Sequence, residues 1–260
     1  MNRRTMLGAL AAAPWGLARG SEVAGDTDVP FVTTPQNVVD AMLELAGVGP
    51  TDVLYDLGSG DGRIVITAAK RWGTRGVGIE IDPRLVSIAQ REARNAGVAH
   101  LARFVAEDIY VADFSAATVI TMYLLPAVNL ALRPRLRRLK PGTRIVSHDW
   151  DMGDCPPDRT LTLAVPDKVV GREKLSRVHL WTVPARLAGR WCASGDALLT
   201  IEQHYQQVNA ALERAAERHS YNGRIDGRRL RLIGAAAPEL AFDFSGDQLA
   251  GGGSVWRRCV

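Results

Sequence analysis

Between residues 53 and 183 the chain repeats one pattern, a short aliphatic run followed by a longer stretch with apolar positions three or four apart. Residues 53–57 form the first run, and from Arg63 the positions Ile64, Ile66, Ala68, Ala69 and Trp72 predict a helix ending at Gly73. Residues 76–80 are the second run, and Asp82-Pro83 then supplies an N-cap and a proline at the first helical position. Residues 103–108 read as a third strand closing on an acid, and 118–123 as a buried fourth. Pro126 opens a helix through Val128, Leu132, Leu136 and Leu139, whose outer face of Arg133, Arg135, Arg137, Arg138 and Lys140 reads as solvated. Lys140-Pro141-Gly142-Thr143 turns the chain into a fifth strand, 144–147, ending at His148-Asp149-Trp150. Ahead of all these, Val38, Val39, Met42, Leu43 and Ala46 mark one face of a helix, with Thr34 as its N-cap, Pro35 in its first turn and Gly47 as its terminator. Strands rich in Val, Ile and Leu that alternate with helices predict an α/β fold. Its sheet is mostly parallel, with helices on both faces and the ligand along the carboxyl ends of the strands. Residues 161–165 and 178–183 supply a closing antiparallel pair, so this first domain runs over 30–184.

From Arg186 the texture changes. Short segments at 189–193, 197–206, 210–216, 228–233, 240–244 and 254–259 are separated by Gly, Ser, Asn and Asp, which predicts a small antiparallel β domain over 186–260. The alternative for the middle piece, residues 203–217, is a helix. Gly189-Arg190-Trp191 and Ser254-Val255-Trp256-Arg257 look like the first and last strands of a barrel or sandwich. Closing that meander would bring Cys192 and Cys259 within the ~4.4 to 6.8 Å Cα separation of a disulfide, the alternative being two buried thiols. No catalytic constellation stands out in this stretch, which reads as a stabilising or interaction module.

Composition narrows the picture. Of 260 residues 47% are hydrophobic and 23% charged, which is globular and long enough for two cores. The net charge is +4, of which Arg3, Arg4 and Arg19 against Glu22 account for +2 within the first 25 residues. The +2 that remains argues against a nucleic-acid partner. Residues 1–25 have the layout of a twin-arginine signal, with Arg3-Arg4, an apolar run over 6–13, then Pro14 and small residues. That run is too short to span a bilayer. The layout predicts export to the periplasm, the alternative being a cytoplasmic protein with an incidental arginine pair. Cys155, Cys192 and Cys259 include no C-x-x-C pair, so no metal is expected.

The chemistry gathers at the strand ends. Asp56-Leu57-Gly58-Ser59-Gly60-Asp61-Gly62 is a strand-to-helix turn in which glycines at alternate positions allow positive φ and admit a ligand to the main chain. The helix N-terminus behind them offers unpaired N–H groups to a carboxylate or phosphate. The spacing D-x-G-x-G-x-G differs from the dinucleotide fingerprint G-x-G-x-x-G. Glu80 stands at the end of the second strand, where a carboxylate can accept from both ribose hydroxyls, and Asp108 stands after the third. Singly, each acid reads as well as a solvated loop carboxylate. Acids at three successive strand ends are the stronger pattern.

These motifs resemble those of class I S-adenosylmethionine (SAM) methyltransferases, over residue 30 to about 158. They are most similar to the group reading D-L-G-S-G-D-G-R-I-V at this turn, which includes mitochondrial protein-lysine methyltransferases. Thr34-Pro35, Asp56 to Ile64, Gly78-Ile79-Glu80, Asp108 and Leu139-Lys140-Pro141-Gly142 carry the match. The resemblance implies a Rossmann-like fold and SAM as cofactor, with Thr34, Asp56, Gly58, Ser59, Gly60, Glu80 and Asp108 as its binding residues. Asp108 would hold the adenine amino group, and Phe31 and Thr34 would cover the methionine end. Thr121-Met122-Tyr123-Leu124-Leu125-Pro126 stands where enzymes methylating adenine or glutamine carry N-P-P-Y, which argues against those acceptors. The expected function is methyl transfer to an unidentified acceptor, a protein lysine first and a small molecule second. The rival is an exported non-catalytic protein binding a nucleoside-like ligand. SAM is made in the cytosol, which sits awkwardly with export. Tyr123, His148 and Asp149 are the candidate catalytic residues: Tyr123 and Trp150 to hold an amine by their ring faces, His148 to accept a proton or relay it to Asp149.

Overall fold

The computed structural model describes residues 32–169, 173–215, 217–235 and 237–259. The signal-like segment 1–25 and Phe31 lie outside the described residues. Four helices and seven strands come first: α1 (Gln36–Leu45), β1 (Val53–Leu57), α2 (Arg63–Trp72), β2 (Arg75–Glu80), α3 (Pro83–Asn95), β3 (Ala102–Ala106), β4 (Val119–Met122), α4 (Pro126–Leu136), β5 (Arg144–His148), β6 (Arg159–Ala164) and β7 (Leu175–Thr182). The strands form one sheet in the order β3-β2-β1-β4-β5-β7-β6. β1 to β5 pair in parallel, and β7 is antiparallel to both β5 and β6. The chain runs outward through β2 and β3 and then returns to β4, so the strand order reverses between β1 and β4. Open α/β sheets bind ligands outside the carboxyl ends of their strands at such a reversal.

Each face of the sheet buries one set of alternating side chains. Leu54, Val119, Val146 and Val178 pack under α1, α2 and α3 with Val38, Met42, Val65, Ala68 and Ala89. Leu57, Ile120, Met122, Ile145 and Trp181 pack on the other face with Leu132 and Leu136 of α4. Burial on both faces explains why the central strands β1, β4 and β5 read as continuous apolar runs.

Two local expectations are corrected. Thr34 is not the N-cap of α1: Pro35 occupies that position at φ −57° and ψ 145°, and no side chain caps the helix. The Thr34 carbonyl instead accepts from Arg63 Nη1 at 2.9 Å. The basic positions of α4 are not all solvated either. Arg135 donates to the carbonyls of Ile109 (2.8 Å), Tyr110 (2.5 Å) and Ala112, and Arg133 donates to the Met152 carbonyl (2.7 Å) and to Asp154. These arginines pin the loops after β3 and β5.

The second part is a closed antiparallel barrel of β8 (Gly189–Ala193), β9 (Ala197–His204), β10 (Gln207–Arg214), β11 (Glu217–Asp226), β12 (Arg229–Gly234), β13 (Leu240–Ser245), β14 (Gln248–Gly251) and β15 (Ser254–Arg258). Residues 203–217 are strand and turn rather than helix, because Val208 and Ala210 alternate inward at period two. Trp191, Trp256, Phe242, Leu199, Leu230 and Leu249 fill the interior, so the barrel is a packed core. β15 and β8 pair over only two residue positions. A disulfide between Cys192 and Cys259, with Cα atoms 5.2 Å apart, fastens that seam. No helix among the described residues is long and apolar enough to cross a membrane.

Candidate active site

β1 delivers the chain to a turn in which Gly58, Gly60 and Gly62 take φ of 74°, 53° and 79°. A Cβ on Gly62 would also lie 2.6 Å from the Phe104 ring, so both conformation and space demand glycine there. The Gly58 and Ser59 N–H groups donate to the Ile79 carbonyl at 2.9 and 3.0 Å, which folds the turn against the end of β2. Glu80, 8% exposed, accepts from the Gly60 N–H on Oε2 (2.9 Å) and from the Asp82 N–H on Oε1 (3.0 Å). A carboxylate has about four acceptor positions, so each oxygen keeps capacity for a ligand hydroxyl. Ser59 Oγ is buried without a partner. Glycines that expose the main chain, an unpaired hydroxyl and a carboxylate with spare acceptor sites fit the amino-acid and ribose portions of an adenosyl-amino-acid ligand. Asp108 lies two residues past the end of β3, not on it, and its Oδ1 accepts from the Tyr110 N–H at 2.8 Å.

Asp56 is 2% exposed, on the sheet face that α1 covers, and its Oδ1 accepts from Thr121 Oγ1 at 2.7 Å. Burial pushes its carboxyl up to about 7, against the lowering effect of that hydroxyl. Arg63, paired with Asp61 and bonded to the Thr34 carbonyl, ties the start of α1 to the glycine turn.

At the ends of β4 and β5 the Tyr123 and His148 rings lie with centroids 3.9 Å apart. His148 Nε2 is 2.9 Å from Ser176 Oγ on β7 and 3.5 Å from Asp149 Oδ2, while Nδ1 is buried with no partner. The nearby carboxylate favours the proton on Nε2, which leaves Nδ1 as a free acceptor. Burial pushes the imidazole down to about 4, against the Asp149 charge, so it is neutral at neutral pH. Asp149 takes φ 61°, a left-handed backbone held in place by Arg177, whose carbonyl accepts from the Asp149 N–H and whose N–H donates to Asp149 Oδ1. Burial opposes its ionisation, but Lys168 Nζ at 2.7 Å and the Arg177 N–H together hold the carboxyl below its ordinary range. Trp150 is 42% exposed, and its carbonyl accepts from Ser147 Oγ (2.6 Å) and Asn129 Nδ2 (3.1 Å).

All the sequence candidates described here therefore fall on the carboxyl edge of one sheet, with the glycine turn and Glu80 on one side and Tyr123, His148 and Asp149 on the other. Sequence reasoning missed Thr121, Ser176, Asn129 and Lys168. Alternation along β4 and β7 was the available signal for Thr121 and Ser176; Lys168, in the loop between β6 and β7, carried none.

Comparison with known proteins agrees with this geometry. The family of the ANTKMT methyltransferase domain matches residues 56–159. A protein-lysine N-methyltransferase of Saccharolobus islandicus (strain REY15A) is 44% identical over 135 residues, covering 51% of this chain and 84% of the relative. The adenine nucleotide translocase lysine N-methyltransferase of Mus musculus is 34% identical over 121 residues, which are 46% of this chain and about half of the relative, 52%. Among solved structures, an RNA methyltransferase from Salinibacter ruber in complex with S-adenosyl-L-homocysteine is 56% identical. It has a TM-score of 0.54 and covers 60% of this chain and 96% of its own. The family match lies within the sheet domain. The protein uses SAM to transfer methyl groups, and it belongs to the class I SAM-dependent methyltransferases, related among them to the protein-lysine methyltransferases.

Proposed function

We propose that the acceptor is the ε-amine of a protein lysine, and that Tyr123, His148 and Asp149 form the place that receives it. SAM, when bound, supplies an electrophilic methyl group on a sulfonium for in-line displacement. The glycine turn, Ser59 and Glu80 hold its amino-acid and ribose portions, with Asp108 at the base and Thr34 and Asp56 near the amino acid. The acceptor must arrive neutral, because an ammonium with a reference pKa near ~10.4 has no lone pair to offer. An imidazole whose pKa is about 4 is too weak a base to remove that proton in bulk. It can instead accept a hydrogen bond from the neutral amine at Nδ1 and so orient the lone pair. The proton passes to bulk water before or during entry, favoured by desolvation beside a carboxylate that Lys168 has already neutralised. Positioning then supplies most of the acceleration.

The observation that carries this reading is the buried, unpartnered His148 Nδ1 against the Tyr123 ring. The 44% identical relative with a protein-lysine activity in its name supports it. The second reading is an RNA acceptor, favoured by the 56% identical Salinibacter ruber enzyme, which is named for RNA. Incubation with tritiated SAM and cell extract separates them. Protease-sensitive label yielding methyl-lysine on hydrolysis is expected, whereas ribonuclease-sensitive label would overturn the lysine reading. Tyr123→Ala and His148→Ala should keep SAM affinity and lose turnover, and wild-type rates in both would remove the two rings from the chemistry.

We also infer that the mature protein works outside the cytoplasm. The twin-arginine layout of residues 1–25 supports this, as does the Cys192–Cys259 bond, which an oxidising compartment sustains. Cell fractionation with an antibody to the barrel tests it, and a wholly cytoplasmic protein with both thiols reduced would refute it.

A further inference from the structure

The loop 149–158 between β5 and β6 begins at the acceptor side with Asp149 and Trp150 and ends against the barrel. Its far half is held from the barrel side at three points. Tyr205 Oη donates to Asp154 Oδ2 at 2.8 Å. Gln206 Nε2 donates to the Pro156 carbonyl at 2.6 Å and to Asp158 Oδ1 at 3.0 Å. Arg224 pairs with Asp158 as well. Tyr205 and Gln206 are the two turn residues between β9 and β10, and both are buried. Tyr205 stands at φ 56°, where hairpins ordinarily take glycine or asparagine. A bulky residue kept in that conformation needs a compensating contact. The bond to Asp154 and the Arg137 guanidinium 4.3 Å above its ring supply one. At the seam a partly open cavity of about 20 Å³ is lined by Met152, Cys155, Trp181 and Tyr205, room for about one water.

Within the loop the hold is passed on. Arg133 bridges Asp154 and the Met152 carbonyl, Met152 pairs with Cys155, and the Gly153 N–H donates to Asp151 Oδ1 at 3.0 Å. Asn129 and Ser147 fix the carbonyls of Trp150 and Asp151 from the sheet side. The loop is thus fastened at its near end by the sheet and at its far end by both the barrel and β7, whose Trp181 Nε1 donates to the Cys155 carbonyl (2.9 Å) and whose Thr182 N–H donates to Asp158 Oδ2 (2.6 Å).

We propose that the barrel serves as the anchor of the acceptor-side loop, and that Tyr205 and Gln206 are positioning residues for methyl transfer, acting through the placement of Trp150. This rests on the assignment of Trp150 and Asp149 to the acceptor side. Two measurements on the full chain test it. In protein labelled with 5-fluorotryptophan, with the Trp150 resonance assigned by Trp150→Phe, Tyr205→Phe and Gln206→Ala should shift or broaden that line. The Trp191 and Trp256 lines of the barrel core should stay in place. An unmoved Trp150 line in both variants overturns the proposal, whatever the acceptor is. In turnover with tritiated SAM and poly-L-lysine as the acceptor probe, the same variants should keep SAM affinity within about twofold and lose about tenfold or more in kcat/KM, the scale of a small misplacement. A role in stability alone would lower the unfolding temperature and leave kcat/KM as it is, which also refutes the positioning claim. Should the wild-type protein leave poly-L-lysine unmodified while Trp150 still responds to Tyr205→Phe, the anchor stands, and the same loss in rate is then required on the protein that the extract experiment labels.

Discussion

Glu80 offers the sharpest test of the cofactor side. Its carboxylate is buried and already accepts two main-chain N–H bonds, from Gly60 and from Asp82. It braces the glycine turn, and on the reading proposed above its spare acceptor sites meet the ribose hydroxyls. Hydrogen bonds to a charged group contribute about 1.5 to 3 kcal/mol, so Glu80→Ala should weaken SAM binding by about 10- to 150-fold. Glu80→Gln is the more telling variant. A glutamine has one acceptor oxygen and one NH2 group, and whichever way it is turned, the NH2 faces either the Gly60 or the Asp82 N–H, donor against donor. The isosteric change should then cost nearly as much as the truncation, and this separates a hydrogen-bonding role from simple filling of space. Calorimetric titration with SAM and with S-adenosylhomocysteine measures both variants, and circular dichroism checks that each is folded. A dissociation constant within twofold of wild type for Glu80→Gln would refute the reasoning.

Three further outcomes follow from the same structure. The disulfide closes a 67-residue separation, for which loop-closure entropy gives an upper value of about 4 kcal/mol, so Cys192→Ser should lower the denaturant midpoint of the barrel by a clear margin and leave SAM affinity unchanged. Asp56, with its pKa raised to about 7, binds a proton in the folded state that the unfolded chain releases near 3.8, so its contribution to stability is present below that value and lost as pH rises toward 7. His148, lowered from 6.5 to about 4, does the opposite, its contribution being present above 6.5 and lost as pH falls toward 4. Urea unfolding across pH 4 to 7 should therefore show a more positive slope with pH in Asp56→Asn and a less positive one in His148→Phe, and unchanged slopes would refute both assignments.

The sheet was legible because its central strands β1, β4 and β5 are buried on both faces, so each announces itself as an aliphatic run between turn residues. The barrel was legible only in part. The segment 197–206 alternates inward apolar residues, and 189–193 and 254–259 each carry one large buried residue, Trp191 and Trp256, between turn residues; the structure places strands in all three. β11, by contrast, is Glu-Arg-His-Ser-Tyr-Asn-Gly-Arg-Ile-Asp, with only Tyr221 and Ile225 buried, and it is a strand through ten positions of pairing with β10 and β12, not through its own pattern. β14 is four residues long with Leu249 alone buried, too short for alternation to register. The helical reading of 203–217 failed for a related reason. Glu213 and Arg214 extend a strand whose outer face is polar, and a half-polar strand beside a turn imitates a helix when neighbours are unknown.

The two halves of the site differ in the same way. Backbone conformation is a local property, so three glycines forced to positive φ and an acid closing the next strand fix the cofactor side from within a span of about thirty residues. Thr34 is a partial exception: its place was found, but not its capping role, because Pro35 took the helix cap and Arg63 at the start of α2 took the Thr34 carbonyl. On the acceptor side nothing is local. His148 is neutral because the sheet buries it and its Nε2 is held by Ser176, which arrives antiparallel on β7, and Asp149 is both ionised and neutralised because Lys168 reaches it from a loop with no recognisable pattern. A histidine next to an aspartate suggests a charge relay in one dimension. In three, the aspartate belongs to Lys168 and Arg177, and the imidazole, driven to about 4 by burial, can orient an amine far better than it can deprotonate one. The pH dependence of turnover should accordingly follow the ionisation of the acceptor amine rather than that of His148.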